Sequence, residues 1–449
     1  MKSKTLWIPA LLCVWVCCKA IAENPVQVCS TRMDELFSSW NNICRPGCAV
    51  GVFHEGEIIF QRGYGSANLD HSVPIAPNTV FYIGSVSKQF TAAAIAILAD
   101  RGKLSLKDDV RKYIPELPEF ERQIRIKDLV FHTSGLRDLY ALMSVAEINV
   151  ANVLSIDDKL NLIARQTDLN FLPGDEFSYN NSGYTLMAIL VERVSGQSLR
   201  KFMHDNVFAP LGMENTHFHD NRHEIVRGRA LSYSPGRDGE VRLSYLSNFE
   251  GVGPGGLYTT IGDLFLWEEN FFYNRIPDTR NFLGLMHTKG VLNNGDTLHY
   301  AFGLNFGNYK GLKTVGHGGS FMGFRAHYLR IPEQRFAVAV LCNMGDINPA
   351  NLSNQIVDLY LADVIEKSLA EYAGTYKNIE FETDFEIVVI GGELYVKDHS
   401  SFDGQLSFTE ADVFRREGWQ FRFVRNGQNQ VEGVMLNNPR ARNIFFKKQ

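Results

Sequence analysis

The sequence lacks a basic surplus, a membrane-length apolar run and any internal repeat, and each absence removes a class of function. Lys and Arg number 45 against 50 Asp and Glu, a formal net charge of −5 over 449 residues. That balance offers no electrostatic footprint for nucleic acid or an anionic membrane surface. The apolar stretch Leu6 to Cys18 falls short of the roughly 20 residues that a spanning helix needs. No repeat period or low-complexity tract stands out, which argues against a solenoid and against disorder. Cysteine is scarce as well: three of the seven (Cys13, Cys17, Cys18) fall within the first 22 residues.

Those 22 residues have their own pattern. Lys2 and Lys4 precede the apolar stretch, and Ala20-Ile21-Ala22 follows it as a small-residue cleavage site. A secretory signal peptide is therefore expected over 1–22, with a periplasmic or secreted product that has no stable membrane insertion after cleavage. Loss of Lys2, Lys4 and Lys19 would take the net charge from −5 to −8. Cys29, Cys44, Cys48 and Cys342 remain. Export permits a disulfide, and one bridge is expected from Cys29 to Cys44 or Cys48. Cys342, in the apolar strand pattern "RFAVAVLCN", is expected as a buried thiol. The pair in "CRPGC" has a three-residue spacer and no neighbouring histidine, so it does not match a redox or zinc motif.

What is present organises into two parts. "CAVGVFHEGEIIFQRGYGSAN" reads as a hairpin turning at His54-Glu55-Gly56-Glu57. Helical patterns dominate to about residue 270, strands return through "GGSFMGFRAHYLRIP" and "RFAVAVLCNM", and "ANLSNQIVDLYLADVIEK" reads as a final helix. This is an α/β domain over residues 23–366 whose sheet gathers both ends of the sequence. Beyond residue 367 short β-rich runs alternate with Gly and Asn turns, which predicts a small all-β domain over 367–449.

The chemistry begins at "FYIGSVSKQFTAAAIAILADRG". Ser85 and Lys88, three apart on a helix, share a face and can hydrogen-bond. A serine hydroxyl is a weak nucleophile, and an ammonium cannot serve as its base until desolvation lowers the lysine pKa. The alanine-rich helix supplies that desolvation, and its N-terminus adds free N–H groups. Ser-x-x-Lys alone is weak: Ser198 and Lys201 repeat it, where a helix cap with an exposed lysine is the better reading. Tyr179-Asn180-Asn181 adds a phenol able to take or relay the serine proton and an amide able to hold a carbonyl. His317-Gly318-Gly319 adds a strand whose glycines admit an extended substrate. These too have decoys, in Tyr376-Lys377-Asn378 and His54-Glu55-Gly56.

The ordered set Ser85-x-x-Lys88, Tyr179-x-Asn181, His317-x-Gly319 resembles the serine β-lactamase and penicillin-binding-protein-like superfamily, in its class C β-lactamase, DD-peptidase, D-aminopeptidase and esterase branch. "HTSGLRD" at 132–138, "PGDEFSYNNSGY", "LGMENTHF" and "GPGGLYTTIGDL" at 253–264 extend the resemblance over roughly residues 30 to 360. It implies a mainly antiparallel sheet flanked by helices, followed by a lipocalin-like small barrel. Ser85 would be acylated, and Lys88 and Tyr179 would share its proton. Asn181 would bind the substrate amide, and His317 would line the opposite wall, steering a carboxylate or relaying a proton. Gly318 and Gly319 would let substrate approach, and the N–H groups of Ser85 and Ser320 would form the oxyanion hole. A peptidase or esterase acting on a small molecule or peptide, including cell-wall fragments, is the leading expectation, with no metal and no cofactor.

His317 and Gly318 stand where class C β-lactamases carry Lys and Thr, so β-lactam turnover is the runner-up. A non-hydrolysing cell-wall sensor is disfavoured because every polar catalytic group is retained. "HFHDNRH" gathers His217, His219, Asp220 and His223, yet it does not keep the His-x-His-x-Asp-His spacing of metallohydrolases. A zinc hydrolase is therefore not the expectation.

Overall fold

The computed structural model of the chain describes residues 25–149, 152–244 and 252–449; the expected signal peptide lies outside them. Six antiparallel strands form the central sheet in the order Asn305–Tyr309, Leu312–Phe321, Phe324–Ile331, Phe336–Cys342, Cys48–His54, Glu57–Tyr64. The N-terminal hairpin thus completes a sheet otherwise built by the C-terminal half of the domain, as expected. Alternation along the strands assigns the two faces. Ala49 and Phe53, with Ala337, Ala339 and Leu341, join one core with Ile261 and Leu264 of helix Ile261–Tyr273. Val50 and Val52, with Val338 and Val340, join a second core with Met33 of helix Pro25–Leu36 and Leu352 and Ile356 of helix Pro349–Tyr360. Gly51 lies against helix Ile261–Tyr273, since a Cβ there would stand 2.4 Å from Ile261 Cγ2.

The cysteine pairing departs from expectation. Cys48 is bonded to Cys342, and Cys29 and Cys44 are free. The two bonded residues are direct cross-strand partners on neighbouring strands. Sequence proximity favoured a short loop, whereas the sheet brings together residues 294 positions apart. Among the described residues no helix is long and apolar enough to cross a membrane.

The C-terminal part is a closed eight-stranded antiparallel barrel running from Gly374–Asn378 to Ile444–Lys448. Tyr376, Phe385, Phe414, Phe421, Phe423 and Phe446 are buried in one cluster with Leu394, Val396 and Leu406, a packed core of aromatic and aliphatic rings and chains. The barrel is tied to the central sheet at its edge hairpin. Lys310 Nζ donates to Asp358 at 2.8 Å and to Glu393 of the barrel at 2.6 Å, with the lysine side chain 7% exposed. Lys310→Met should lower stability by about 1–2 kcal/mol, because it leaves two partly shielded carboxylates without their cation. Urea unfolding in low and high salt measures this, and an unchanged midpoint in both would show that the tie contributes nothing.

Candidate active site

Strand Phe81–Tyr82 pairs with Leu257–Thr259 and then turns sharply into a 3-10 turn over Gly84–Ser87, followed by the α-helix Lys88–Asp100. Gly84 takes φ +54°, and a Cβ on it would lie 2.7 Å from the Ser320 nitrogen, so the turn needs glycine on both counts. Two hydrogen bonds hold its back: Gly256 N–H to Tyr82 Oη at 2.9 Å, and Leu257 N–H to Ser87 Oγ at 3.2 Å. Sequence spacing places Ser85 and Lys88 on one α-helix; Ser85 lies instead in the 3-10 turn. Residues three apart eclipse in that geometry, which sets the amine directly beside the hydroxyl.

Lys88 is fully buried. Its Nζ lies 3.0 Å from Ser85 Oγ, 2.9 Å from Asn181 Oδ1 and 2.8 Å from the Pro254 carbonyl. Burial pushes its pKa down to about 7, against the opposing pull of the Asp138 carboxylate. A neutral amine has two N–H groups and one lone pair. With the N–H groups on Asn181 and Pro254, the lone pair is left for the Ser85 hydroxyl proton.

Tyr179 covers this group, with its ring centroid 4.7 Å from Lys88 Nζ. Burial raises the Tyr179 pKa, so it is a phenol at neutral pH. Its own segment is placed by the loop 132–138. His132, buried and at φ +60°, takes the Asn180 N–H on Nδ1 at 3.0 Å and packs against the Tyr179 ring at 4.5 Å. Asp138 accepts from the Asn181 N–H at 2.7 Å and from its side-chain amide at 2.8 Å. One amide hydrogen of Asn181 remains for another partner. Neither His132 nor Asp138 is marked by sequence as a site residue; the legible signal was "HTSGLRD" as a phrase, not their task of orienting Tyr179 and Asn181.

Strand Leu312–Phe321 forms the facing wall. Gly319 runs so close to the turn that a Cβ would stand 2.0 Å from the Ile83 carbonyl oxygen and 3.2 Å from the Ser85 nitrogen. The backbone nitrogens of Ser85 and Ser320 are thereby brought to one place. Gly318 accepts the His317 Nδ1–H at 2.6 Å, leaving Nε2 to face the Tyr300 hydroxyl at 3.4 Å. Burial drives the His317 pKa down to about 3, with Lys88 adding to the effect, so this histidine is neutral at physiological pH and presents no charge to a carboxylate. At the mouth Tyr179 and Phe177 stay 39% and 43% exposed, an aromatic rim. Ser85, Lys88, Tyr179 and Asn181 are thus joined by direct contacts, and His317 reaches them through ring contacts with Tyr179 and Tyr300. The decoys stay apart from them: Ser198 caps its helix by accepting the Lys201 N–H, and Tyr376 packs inside the barrel.

The family profile described as Beta-lactamase matches residues 37–361. A D-aminopeptidase of Gluconobacter oxydans is 28% identical over 302 residues, 66% of this chain and 56% of that protein. A D-aminopeptidase of Cereibacter sphaeroides is 29% identical over 329 residues, 69% of this chain and 59% of that protein. The chain therefore spans less than two thirds of the length of these curated relatives. Among solved structures, the octameric penicillin-binding protein homologue from Pyrococcus abyssi superposes with a TM-score of 0.67 at 24% identity, covering 94% of this chain and 100% of that one. The D-amino acid amidase from Ochrobactrum anthropi SV3 gives 0.61 at 18% identity over 78% and 99%. At such identities these two likenesses speak for the fold alone.

Proposed function

The chain belongs to the beta-lactamase family, and from that premise we propose that it is a serine hydrolase cleaving amide bonds of D-amino-acid amides or D-aminoacyl peptides through an acyl-enzyme on Ser85. One observation carries the reading: a buried lysine with a pKa of about 7 sits 3.0 Å from the hydroxyl it would deprotonate. Ser85 Oγ attacks the carbonyl carbon as its proton passes to Lys88 Nζ, and the new oxyanion faces the N–H groups of Ser85 and Ser320. Collapse breaks the C–N bond, and the leaving amine takes the proton from Lys88 through the Tyr179 hydroxyl. Water then attacks the ester by the same groups in reverse order, releasing the acid and restoring Ser85.

Charge gives no advantage to an acyl donor that carries a carboxylate. His317 is neutral near pH 7, and Lys88, with a pKa of about 7, is only partly protonated there and faces the Asp138 carboxylate. The facing wall thus offers a carboxylate no fixed cation at His317, so β-lactam turnover ranks below amide cleavage. The curated D-aminopeptidases support the choice of enantiomer. Export is part of the proposal, supported by the segment 1–22 and by the Cys48–Cys342 bond, which belongs to an oxidising compartment; N-terminal sequencing of the mature chain should begin after Ala22.

The test pairs ammonia release from D- and L-phenylalanine amide with intact-mass measurement of the quenched enzyme. The D-amide should be favoured by about 100-fold in kcat/KM, with an acyl adduct mapped to Ser85. Equal rates would refute the stereochemical reading, and turnover without an adduct on Ser85 would refute the mechanism. The pH profile gives a second check. The base form of Lys88 is lost as pH falls through about 7, so kcat/KM should drop about tenfold per unit below that value and level off above it. A profile flat from pH 5 to roughly pH 8 would exclude Lys88 as the titrating base.

A further inference from the structure

The segment from His217 to Glu224 carries buried nitrogens that the fold leaves unsatisfied. His217 and His219 stand two apart on an extended stretch, so their rings leave the same face while Phe218 between them enters the core. Tyr258 fixes both: it is the cross-strand partner of His217, stacks on that ring at 5.8 Å, and meets His219 edge-on at 5.2 Å. The His219 N–H donates to the Gly256 carbonyl at 2.7 Å, which pins the backbone as well. His217 Nε2 and His219 Nδ1 are buried without a hydrogen-bond partner, and His219 is 6% exposed. Each such atom costs about 1–3 kcal/mol unless something occupies it.

Glu224 completes the group. Its Oε2 lies 3.6 Å from His219 Nδ1, and one donor atom from each of the three residues falls within 4.8 Å of the others. We propose that His217, His219 and Glu224 bind one divalent transition-metal ion of the zinc type, with water as a further ligand entering from the cleft lined by Glu214, Thr216 and Glu224. Two imidazoles and a carboxylate are a donor set that zinc accepts. Metal–ligand bonds of about 2.0–2.2 Å place tetrahedral donors roughly 3.3–3.5 Å apart, so the trio closes by side-chain rotation of about 1 Å.

Arg200 grips Glu224 with two hydrogen bonds of 2.6 and 2.7 Å and reaches Asp220 at 3.1 Å, which orients the ligating carboxylate. Arg229, against the Tyr258 ring at 6.0 Å, is a second cation beside the group, so the two carboxylates balance the two guanidiniums and the donor atoms themselves must hold the ion. Asp220 and His223 of the sequence run are not part of the trio, and His223 points to solvent. Tyr258 in turn meets Tyr82 at 5.4 Å, one residue pair ahead of the Gly84–Ser87 turn. An ion here braces the back of that turn and does not enter the reaction; among the described contacts, none of the three ligands touches Ser85, Lys88, Tyr179 or Asn181.

The test titrates the full chain, freed of metal by chelator, with Co²⁺, following visible absorption and metal content after dialysis. One Co²⁺ per chain is expected, with ligand-field bands free of a sulfur charge-transfer band and a Tm that rises with metal concentration. His217→Gln/His219→Gln should bind none, and Glu224→Gln should bind at least about tenfold more weakly. If the double variant misfolds, the wild-type stoichiometry and Glu224→Gln decide. Wild type that takes up no Co²⁺ at micromolar concentration overturns the proposal, as does equal uptake by the variants. A thiolate band would overturn it too, since it would assign the ion to exposed Cys44.

Discussion

Lys88→Met should lower kcat/KM by about 10³- to 10⁴-fold while leaving the protein at least as stable as wild type. The first half follows from the loss of the amine proposed as the base beside Ser85 Oγ. The second follows from linkage. Lys88 has a pKa of about 7 in the fold against 10.5 for an unperturbed lysine, so between these values the unfolded chain binds the extra proton. Stability contributed at high pH by the neutral buried amine is therefore lost as pH falls from about 10.5 to about 7 and is constant below. Over that window the loss is on the order of 5 kcal/mol. Methionine removes the titrating group and fills the same space, at the expense of hydrogen bonds to Asn181 and Pro254 of about 1 kcal/mol each. Thermal melts at pH 7 and pH 10, beside steady-state rates, test both halves. Wild-type turnover in a folded variant would remove Lys88 from the mechanism; a variant that melts well below wild type at pH 7 would show that the lysine is structural.

That opposition between stability and chemistry explains which parts of the site a sequence discloses. Ser85, Lys88, Tyr179, Asn181 and His317 carry side chains with few alternative uses at such spacings, and short spacing marks them. The Pro254 carbonyl that shares Lys88 is a backbone group with no residue type of its own. Asp138 reads as a helix cap, which it also is, since it accepts from Tyr140 N–H at 2.9 Å. Its second task, holding Asn181, depends on tertiary placement across 43 residues. The same limit governs the sheet. Alternation in "CAVGVFH" and "FAVAVLC" marks both strands, and the expected gathering of the two chain ends is observed. Their pairing register sets Cys48 beside Cys342, yet no local pattern encodes it, so expectation settled on nearer cysteines. The C-terminal barrel was legible because its hairpins are local and its turns are rich in Gly and Asn.

Gly319→Ala should cost about 10² to 10³ in kcat with a much smaller change in KM, although no side chain of the reacting set is altered. A Cβ at this position would stand 2.0 Å from the Ile83 carbonyl oxygen and 3.0 Å from its carbon, and both are backbone atoms that cannot rotate away. The strand must therefore withdraw from the Gly84–Ser87 turn by about 1.4 Å or more, the shortfall from 2.0 Å to ordinary contact at 3.4 Å. Withdrawal separates the Ser85 and Ser320 N–H groups, and donors aimed at developing charge lose their effect with displacements of that size. Gly318 is the internal comparison: a Cβ there meets nothing closer than the Ala326 carbonyl and the His327 ring at 4.0 Å. Gly318→Ala should lose at least about tenfold less activity than Gly319→Ala. Burst kinetics with a D-amino-acid ester, where acylation is seen separately, would place the Gly319→Ala defect in formation of the acyl-enzyme. Equal effects at the two glycines would mean that the strand is merely a packing wall. A selective defect at Gly319 would identify its close approach to Ile83 as the feature that builds the oxyanion site.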